Sequence, residues 1–194
     1  AIFSYTVVTY IKFELIFMDN NLQTATFGAG CFWCIDAAFR NVAGVASVRS
    51  GYAGGTIDNP TYQQICTGLT GHAEVIEIKF DENKVSFDTL LDMLFTLHDP
   101  TQLNRQGNDT GTQYRSVVFY HDMEQKYLTE QAIIKHQESH NDEIVTELSP
   151  APIFYSAETY HQDYYAANQQ QPYCSMLIGP KIAKFKSVFT EYLK

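Results

Sequence analysis

The chain has 194 residues, 45% of them hydrophobic, which suits one globular domain with a core of its own. Lys and Arg number 13 against 22 Asp and Glu, so the formal net charge is −9, and the basic residues are not clustered, which excludes a nucleic-acid backbone as partner. Charged residues at 18% and aromatics at 14% exclude a disordered chain, and four cysteines are too few for a secreted scaffold built on disulfides.

Residues 1–17 are apolar, but Lys12 and Glu14 interrupt them and they fall short of the roughly 20 apolar residues that a spanning helix needs. They also lack the basic start and small-residue cleavage site of a signal peptide, so no membrane is expected and a cytoplasmic location follows. Their β-branched and aromatic content reads as an extended segment. Met18 suits a natural start, which makes 1–17 a leader or an artificial extension and 18–194 the working domain.

Beyond Met18 the pattern alternates between strands and helices. Thr24 to Phe27 reads as a strand closing in Gly28-Ala29-Gly30, and a helix follows over Cys31 to Phe39. Val45 to Tyr52 is a strand, Tyr62 to Cys66 a helical segment, and Val75 to Phe80 a strand. Ser86 caps a helix whose Phe87, Leu90, Leu91 and Leu94 fall at helical spacing. Arg115 to Tyr120 is a strand, Asp122 to His140 a long helix, and Ile144 to Glu147 a strand. Helices are expected over Ala157 to Asn168 and Pro180 to Leu193. No repeat or linker divides the chain, so the fold class is α+β or open α/β in a single domain.

The chemistry centres on Gly28-Ala29-Gly30-Cys31-Phe32-Trp33-Cys34. A cysteine where a glycine turn enters a helix meets unpaired N–H groups, which favour the thiolate and lower its pKa, so Cys31 is a candidate nucleophile. Cys34 lies one helical turn on, within reach for a disulfide. Half of a zinc site is the competing reading, but Cys66 and Cys174 are solitary, so no metal is expected. Phe32 and Trp33 either join the core or wall a pocket beside the nucleophile.

Side-chain alternation in 74–80 sets Glu74 on the face of Ile76, Ile78 and Phe80, opposite Glu77 and Lys79. An inward carboxyl there is desolvated and becomes a proton donor near neutral pH, whereas a strand that began one residue later would leave Glu74 solvated. Asp109 and Tyr114 lie in a polar loop before a strand, and Tyr62 is another phenol able to face inward. His136 and His140 read as a solvated pair, and His161 with Tyr160, Tyr164 and Tyr165 as helix packing or pocket lining. Cys66 reads as core. No nucleotide-binding glycine motif occurs, so no bound cofactor is indicated.

These blocks resemble the A-type peptide methionine sulfoxide reductases. The matching segments are Thr26 to Trp33, Gly51 to Gly55, Tyr62 with Thr70 to Val75, Asp109 to Ser116, and Tyr160 to Tyr164, in family order across 18–194. The resemblance implies one α+β domain with a mixed sheet and flanking helices, built on a two-layer ferredoxin-like sandwich. It implies that Cys31 attacks the sulfoxide sulfur and Glu74 protonates its oxygen. Tyr62 and Tyr114 would donate hydrogen bonds, Asp109 would support them, and Phe32 and Trp33 would hold the substrate methyl. The product is methionine, from the S epimer of free or protein-bound sulfoxide, with a Cys31 sulfenic acid left behind. Many relatives carry Gly at the position of Cys34 and resolve through a distal cysteine matching Cys174. This chain has both, so either resolves, with thioredoxin, or dithiothreitol in vitro, as reductant and a monomer as the working form. The rival reading is a general C-x-x-C thiol–disulfide oxidoreductase; a zinc- or peptide-binding module stands third.

Overall fold

The computed structural model describes residues 22–194, so the extended reading of 1–17 lies outside the described residues. Within 22–194, eight strands, six α-helices and several single turns follow one another. β1 (Leu22–Ala29) leads to α1 (Phe32–Phe39), β2 (Val45–Ala53), α2 (Tyr62–Cys66), β3 (Ala73–Asp81) and α3 (Phe87–Leu97). Next come the hairpin strands β4 (Arg105–Gln106) and β5 (Asp109–Thr110), a 3₁₀ turn (Thr112–Tyr114), β6 (Ser116–Tyr120), α4 (Met123–Gln137), β7 (Glu147–Pro150) and β8 (Tyr155–Ser156). The C-terminal part holds a 3₁₀ turn (Thr159–His161), α5 (Tyr164–Ala167), a π-helical turn (Cys174–Ile178), α6 (Gly179–Val188) and a last 3₁₀ turn (Thr190–Tyr192).

The sheet runs β7-β6-β1-β3-β2-β8, and every pair is antiparallel except β6 with β7. It is a mixed sheet in an α+β fold. Helices cover one face: Phe27 of β1, Ile76, Ile78 and Phe80 of β3, and Val118 of β6 share a core with Ile35, Leu90, Leu94, Ile178 and Phe185. On the other face Ala53, Ala73, Val75, Val117 and Phe119 form a smaller cluster under Ala151 and Phe154. β1, β3 and β6 carry buried residues on both faces, which is why their sequences lack a fully polar side.

The helix starts are made by local hydrogen bonds. The Ser86 hydroxyl accepts the Thr89 N–H at 3.1 Å, and Asp122 accepts the Gln125 N–H at 2.8 Å. Thr61 closes a capping box with Gln64 at the start of α2.

Three expectations shift. The last strand before the C-terminal part covers Glu147–Pro150 rather than Ile144 to Glu147, because it pairs in parallel with Val117 to Tyr120. The helix expected over Ala157 to Asn168 breaks into a 3₁₀ turn and α5, with Asp163 left-handed at φ 49° between them. The Gln162 side chain causes the break, since it accepts the Ser50 N–H and donates to the Ser50 carbonyl, both at 2.9 Å, as a strand would. Cys66 is exposed rather than core, since α2 buries only Ile65.

Candidate active site

Gly30 sets the site's geometry. Its φ of +84° turns β1 into α1, and a Cβ there would lie 2.6 Å from the Gln106 Cβ, so the turn needs glycine for both reasons. The turn delivers Cys31 to the N-cap of α1, where its carbonyl accepts the Cys34 N–H at 3.1 Å. Cys31, Phe32, Trp33, Tyr62, Glu74, Asp109, Tyr114 and Tyr173 line one cavity of about 220 Å³. That is below the roughly 300–1,000 Å³ usual for whole small-molecule ligands, so the cavity suits the head of one side chain.

Glu74 lies inside, 2% exposed, and its Oε2 accepts the Phe32 backbone N–H at 3.1 Å. β3 begins at Ala73, which fixes the alternation that turns Glu74 inward. Burial pushes its carboxyl well above the usual carboxylate range, and the neighbouring Cys31 and Asp109 act in the same direction. Its surroundings therefore favour the protonated, proton-donating form. The Tyr62 and Tyr114 hydroxyls are likewise raised, both by burial first, Tyr62 then by the nearby Cys66 thiol and Glu74, and Tyr114 then by Glu74. Both phenols remain protonated donors.

Cys31 departs from the expected lowered pKa. The thiol is buried, and desolvation, followed by the neighbouring Cys34 thiol, pushes it up, while α1 has only eight residues to offset this. The Cys34 thiol is lowered, by its interaction with the neighbouring Cys31 thiol first, with Lys181 adding to the effect. All four cysteines are free thiols; Cys174 is fully buried beside the pocket, and burial raises its thiol as well. No group of three His, Cys, Asp or Glu able to hold a metal occurs among the described residues.

The apolar wall is a stack of rings. Trp33 lies face to face with Tyr164, centroids 3.8 Å apart at 8°, and meets Tyr173 edge-on at 5.9 Å and 80°. Phe32 packs against Tyr52 and His161. The Trp33 indole N–H donates to His161 Nδ1 at 3.2 Å, which makes Nε2 the protonated nitrogen of a neutral imidazole. That Nε2 is buried without a hydrogen-bond partner, 3.9 Å from Glu158 Oε2. Glu158 also accepts the Tyr62 backbone N–H and the Tyr52 hydroxyl, both at 2.9 Å, tying the start of α2 to β2.

The residues expected at the site thus converge: Cys31, Phe32, Trp33, Tyr62, Glu74, Asp109 and Tyr114 share one cavity, with Cys34 and Cys174 behind it. Sequence reasoning missed Tyr173, whose hydroxyl donates to Asp109 Oδ2 at 2.8 Å, and Glu158. A bulky aromatic directly before Cys174 was the available sign of the first; nothing local marked the second. His136 is no ligand either, since its Nε2 pairs with Asp92 at 2.8 Å.

The family model for peptide methionine sulfoxide reductase matches residues 23–193. The chain belongs to this family. It is similar to a peptide methionine sulfoxide reductase MsrA from Nautilia profundicola, 56% identical over 175 residues, which cover 89% of this chain and 99% of the relative. A protein of the same description from Acinetobacter baumannii is 54% identical over 173 residues, covering 89% and 99%. Among solved family structures, methionine sulfoxide reductase A of Corynebacterium diphtheriae superimposes with a TM-score of 0.71 at 37% identity, over 78% of this chain and 77% of that one. Reduced Mxr1 from Saccharomyces cerevisiae gives 0.74 at 31% identity, over 79% and 90%. Within the described residues no helix is long and apolar enough to cross a membrane.

Proposed function

We propose that this family member reduces the S epimer of methionine sulfoxide, free or in proteins, to methionine through a sulfenic acid on Cys31. One observation carries the reading: a buried carboxyl, Glu74, whose burial favours its protonated form, shares a small aromatic-walled cavity with a thiol. Attack by the Cys31 sulfur on the sulfoxide sulfur puts negative charge on oxygen. Glu74 gives that oxygen its proton, with Tyr62 and Tyr114 as further donors and Asp109 in support. The S–O bond breaks, the hydroxyl passes to Cys31, and methionine leaves past Phe32 and Trp33. The proton that Cys31 loses balances the one that Glu74 gives. Methionine sulfur gains the two electrons that Cys31 loses.

Cys34 then condenses with the sulfenic acid, a role supported by its place one helical turn from Cys31, where its N–H donates to the Cys31 carbonyl at 3.1 Å. Cys174 takes the disulfide over, and thioredoxin, or dithiothreitol in vitro, reduces it. Yeast Mxr1, similar in fold, has been solved in complex with Trx2. The working unit is a monomer, because one chain supplies the whole pocket, and its thiol chemistry suits the reducing cytoplasm. The catalytic domain spans 18–194, with a leader or added extension before it. Its core is a two-layer ferredoxin-like sandwich, supported by the order β6-β1-β3-β2 with α1 and α3 on one face.

Turnover of a peptide carrying methionine S-sulfoxide tests the reading. Cys31→Ser abolishes it and Glu74→Gln reduces it sharply, while wild type leaves insulin disulfides intact. Unchanged turnover in Glu74→Gln together with reduction of insulin would instead establish the general thiol–disulfide oxidoreductase.

A further inference from the structure

The cavity has a buried floor and a half-buried mouth. Cys31, Phe32 and Glu74 lie buried at its floor, whereas Trp33, Tyr62, Asp109, Tyr114 and Tyr173 are half-buried and form its mouth. At about 220 Å³ it admits the sulfoxide head of one side chain, so the backbone and neighbouring residues of a peptide substrate must lie outside, across that mouth.

Three large apolar side chains stand exposed beside it: Leu69 at 87%, Leu103 at 69% and Tyr160 at 58%. Each is tied to the mouth by local geometry. The Gly68 carbonyl, one residue before Leu69, accepts the Thr112 hydroxyl at 3.1 Å, and Thr112 opens the 3₁₀ turn that ends at Tyr114. The Asn104 carbonyl, one residue after Leu103, accepts the N–H of Gly111, two residues past Asp109, at 2.9 Å. The two leucines thus flank the stretch 109–114, which supplies two residues of the mouth. Tyr160 borders the Tyr62 side, since both rings pack on His161, at centroid distances of 4.3 and 4.4 Å. Single exposed apolar residues are ordinary on a protein surface. Here three of them border one mouth, and the Leu69 backbone is fixed, its N–H donating to the Thr67 hydroxyl at 3.2 Å. An apolar surface on a restrained loop binds without first having to be ordered.

We propose that Leu69, Leu103 and Tyr160 form an apolar rim that grips the residues flanking the methionine sulfoxide, which makes unfolded, apolar polypeptide segments the preferred substrates. This selectivity rests on the reductase chemistry proposed above. Methionine is itself a core residue, so the segments that carry it bring other apolar residues with them when they unfold. Those residues meet the rim as the oxidised methionine enters the cavity. The rim lies beyond the reacting atoms and therefore holds substrate and transition state equally, which acts on KM rather than on kcat. Free methionine sulfoxide has no flanking residues to place on it.

Steady-state kinetics with two peptides of equal length separates the rim from the pocket. Each carries methionine S-sulfoxide at its centre, flanked on both sides by Leu in one peptide and by Ser in the other. N-acetylmethionine S-sulfoxide, which has no flanks, is the third substrate. Wild type should favour the Leu-flanked over the Ser-flanked peptide by about 10-fold or more in kcat/KM, through KM. Leu69→Ser, Leu103→Ser and Tyr160→Ser should each cut that ratio by about 2- to 3-fold, and the triple variant should bring it close to one. A wild-type ratio near one, a ratio that the variants leave in place, or a fall carried by kcat overturns the rim. Equal losses on the peptides and on N-acetylmethionine S-sulfoxide would show that the substitutions disturb the pocket itself, and reject the rim as well. A wild type inactive on all three sulfoxides overturns the reductase reading and the rim with it, whereas an active wild type with a flat ratio rejects the rim alone.

Discussion

Glu74 is buried with no cationic partner among the described residues, and a single backbone N–H touches it. Its folded pKa lies above its unfolded value, so the folded state binds more protons wherever pH falls between the two. Stability is therefore lost as pH rises from the ordinary carboxylate range through the raised value, at about 1.4 kcal/mol for each pH unit crossed. Glu74→Gln lacks that loss, and its amide oxygen still accepts the Phe32 N–H. Thermal melts should show the Tm advantage of Glu74→Gln over wild type widening as pH rises through this window; parallel curves would mean that Glu74 is ionised in the fold. The same variant should lose about 10²- to 10⁴-fold in turnover, the usual contribution of a positioned acid. The parity of Glu74 with Ile76, Ile78 and Phe80 was legible in the sequence, but its inward position was not, because that depends on β3 beginning at Ala73 and not after Glu74. Nor was the state of Cys31. A glycine turn before a helix argues for an easily ionised thiol, but desolvation depends on the side chains that close over it, and these come from distant parts of the chain.

At the scale of elements, the turn between β1 and α1 carries the most consequence per residue. Gly30→Ala forces a side chain into a left-handed conformation and against Gln106, whose amide also bonds the Asp99 backbone on both sides. Destabilisation of at least about 2 kcal/mol in urea unfolding is expected. Activity should fall further than stability, because Cys31 moves with the turn; a fully active, stable variant would show that the approach to Gln106 relaxes freely. Thr61→Ala removes the cap of α2 and should cost about 1 kcal/mol by the same assay. Elements with hydrophobic periodicity, such as α3 and β3, could be read from sequence because burial and period coincide in them. The region 157–168 could not, because Gln162 bonds to Ser50 across a distance of 112 residues and overrides the helical propensity of its neighbours. Tyr173 and Glu158 escaped for the same reason: each acts through a partner on a remote segment.

Over the whole molecule, the pocket gathers α1, α2, β3, the β4–β5 hairpin, the 3₁₀ turn before β6 and the segment ahead of α6. The last of these is the part that the proposed transfer of the disulfide to Cys174 would move. Cys174 is fully buried, Tyr173 beside it is bonded to Asp109, and the π-helical turn that follows leads straight into α6. A disulfide between Cys31 and Cys34 forms within one helical turn and needs little rearrangement, whereas transfer to Cys174 requires the Tyr173 contacts to break. Two outcomes follow. Mass mapping after one turnover should find the bond between Cys31 and Cys34 in Cys174→Ser, and that variant should keep turnover with dithiothreitol but lose about tenfold or more with thioredoxin. Hydrogen exchange over 164–178 should rise when wild type is oxidised and stay at the reduced level in oxidised Cys174→Ser, since only the second bond displaces the segment. Equal protection of oxidised and reduced wild type would mean that Cys174 stays buried, leaving Cys34 as the sole resolving thiol.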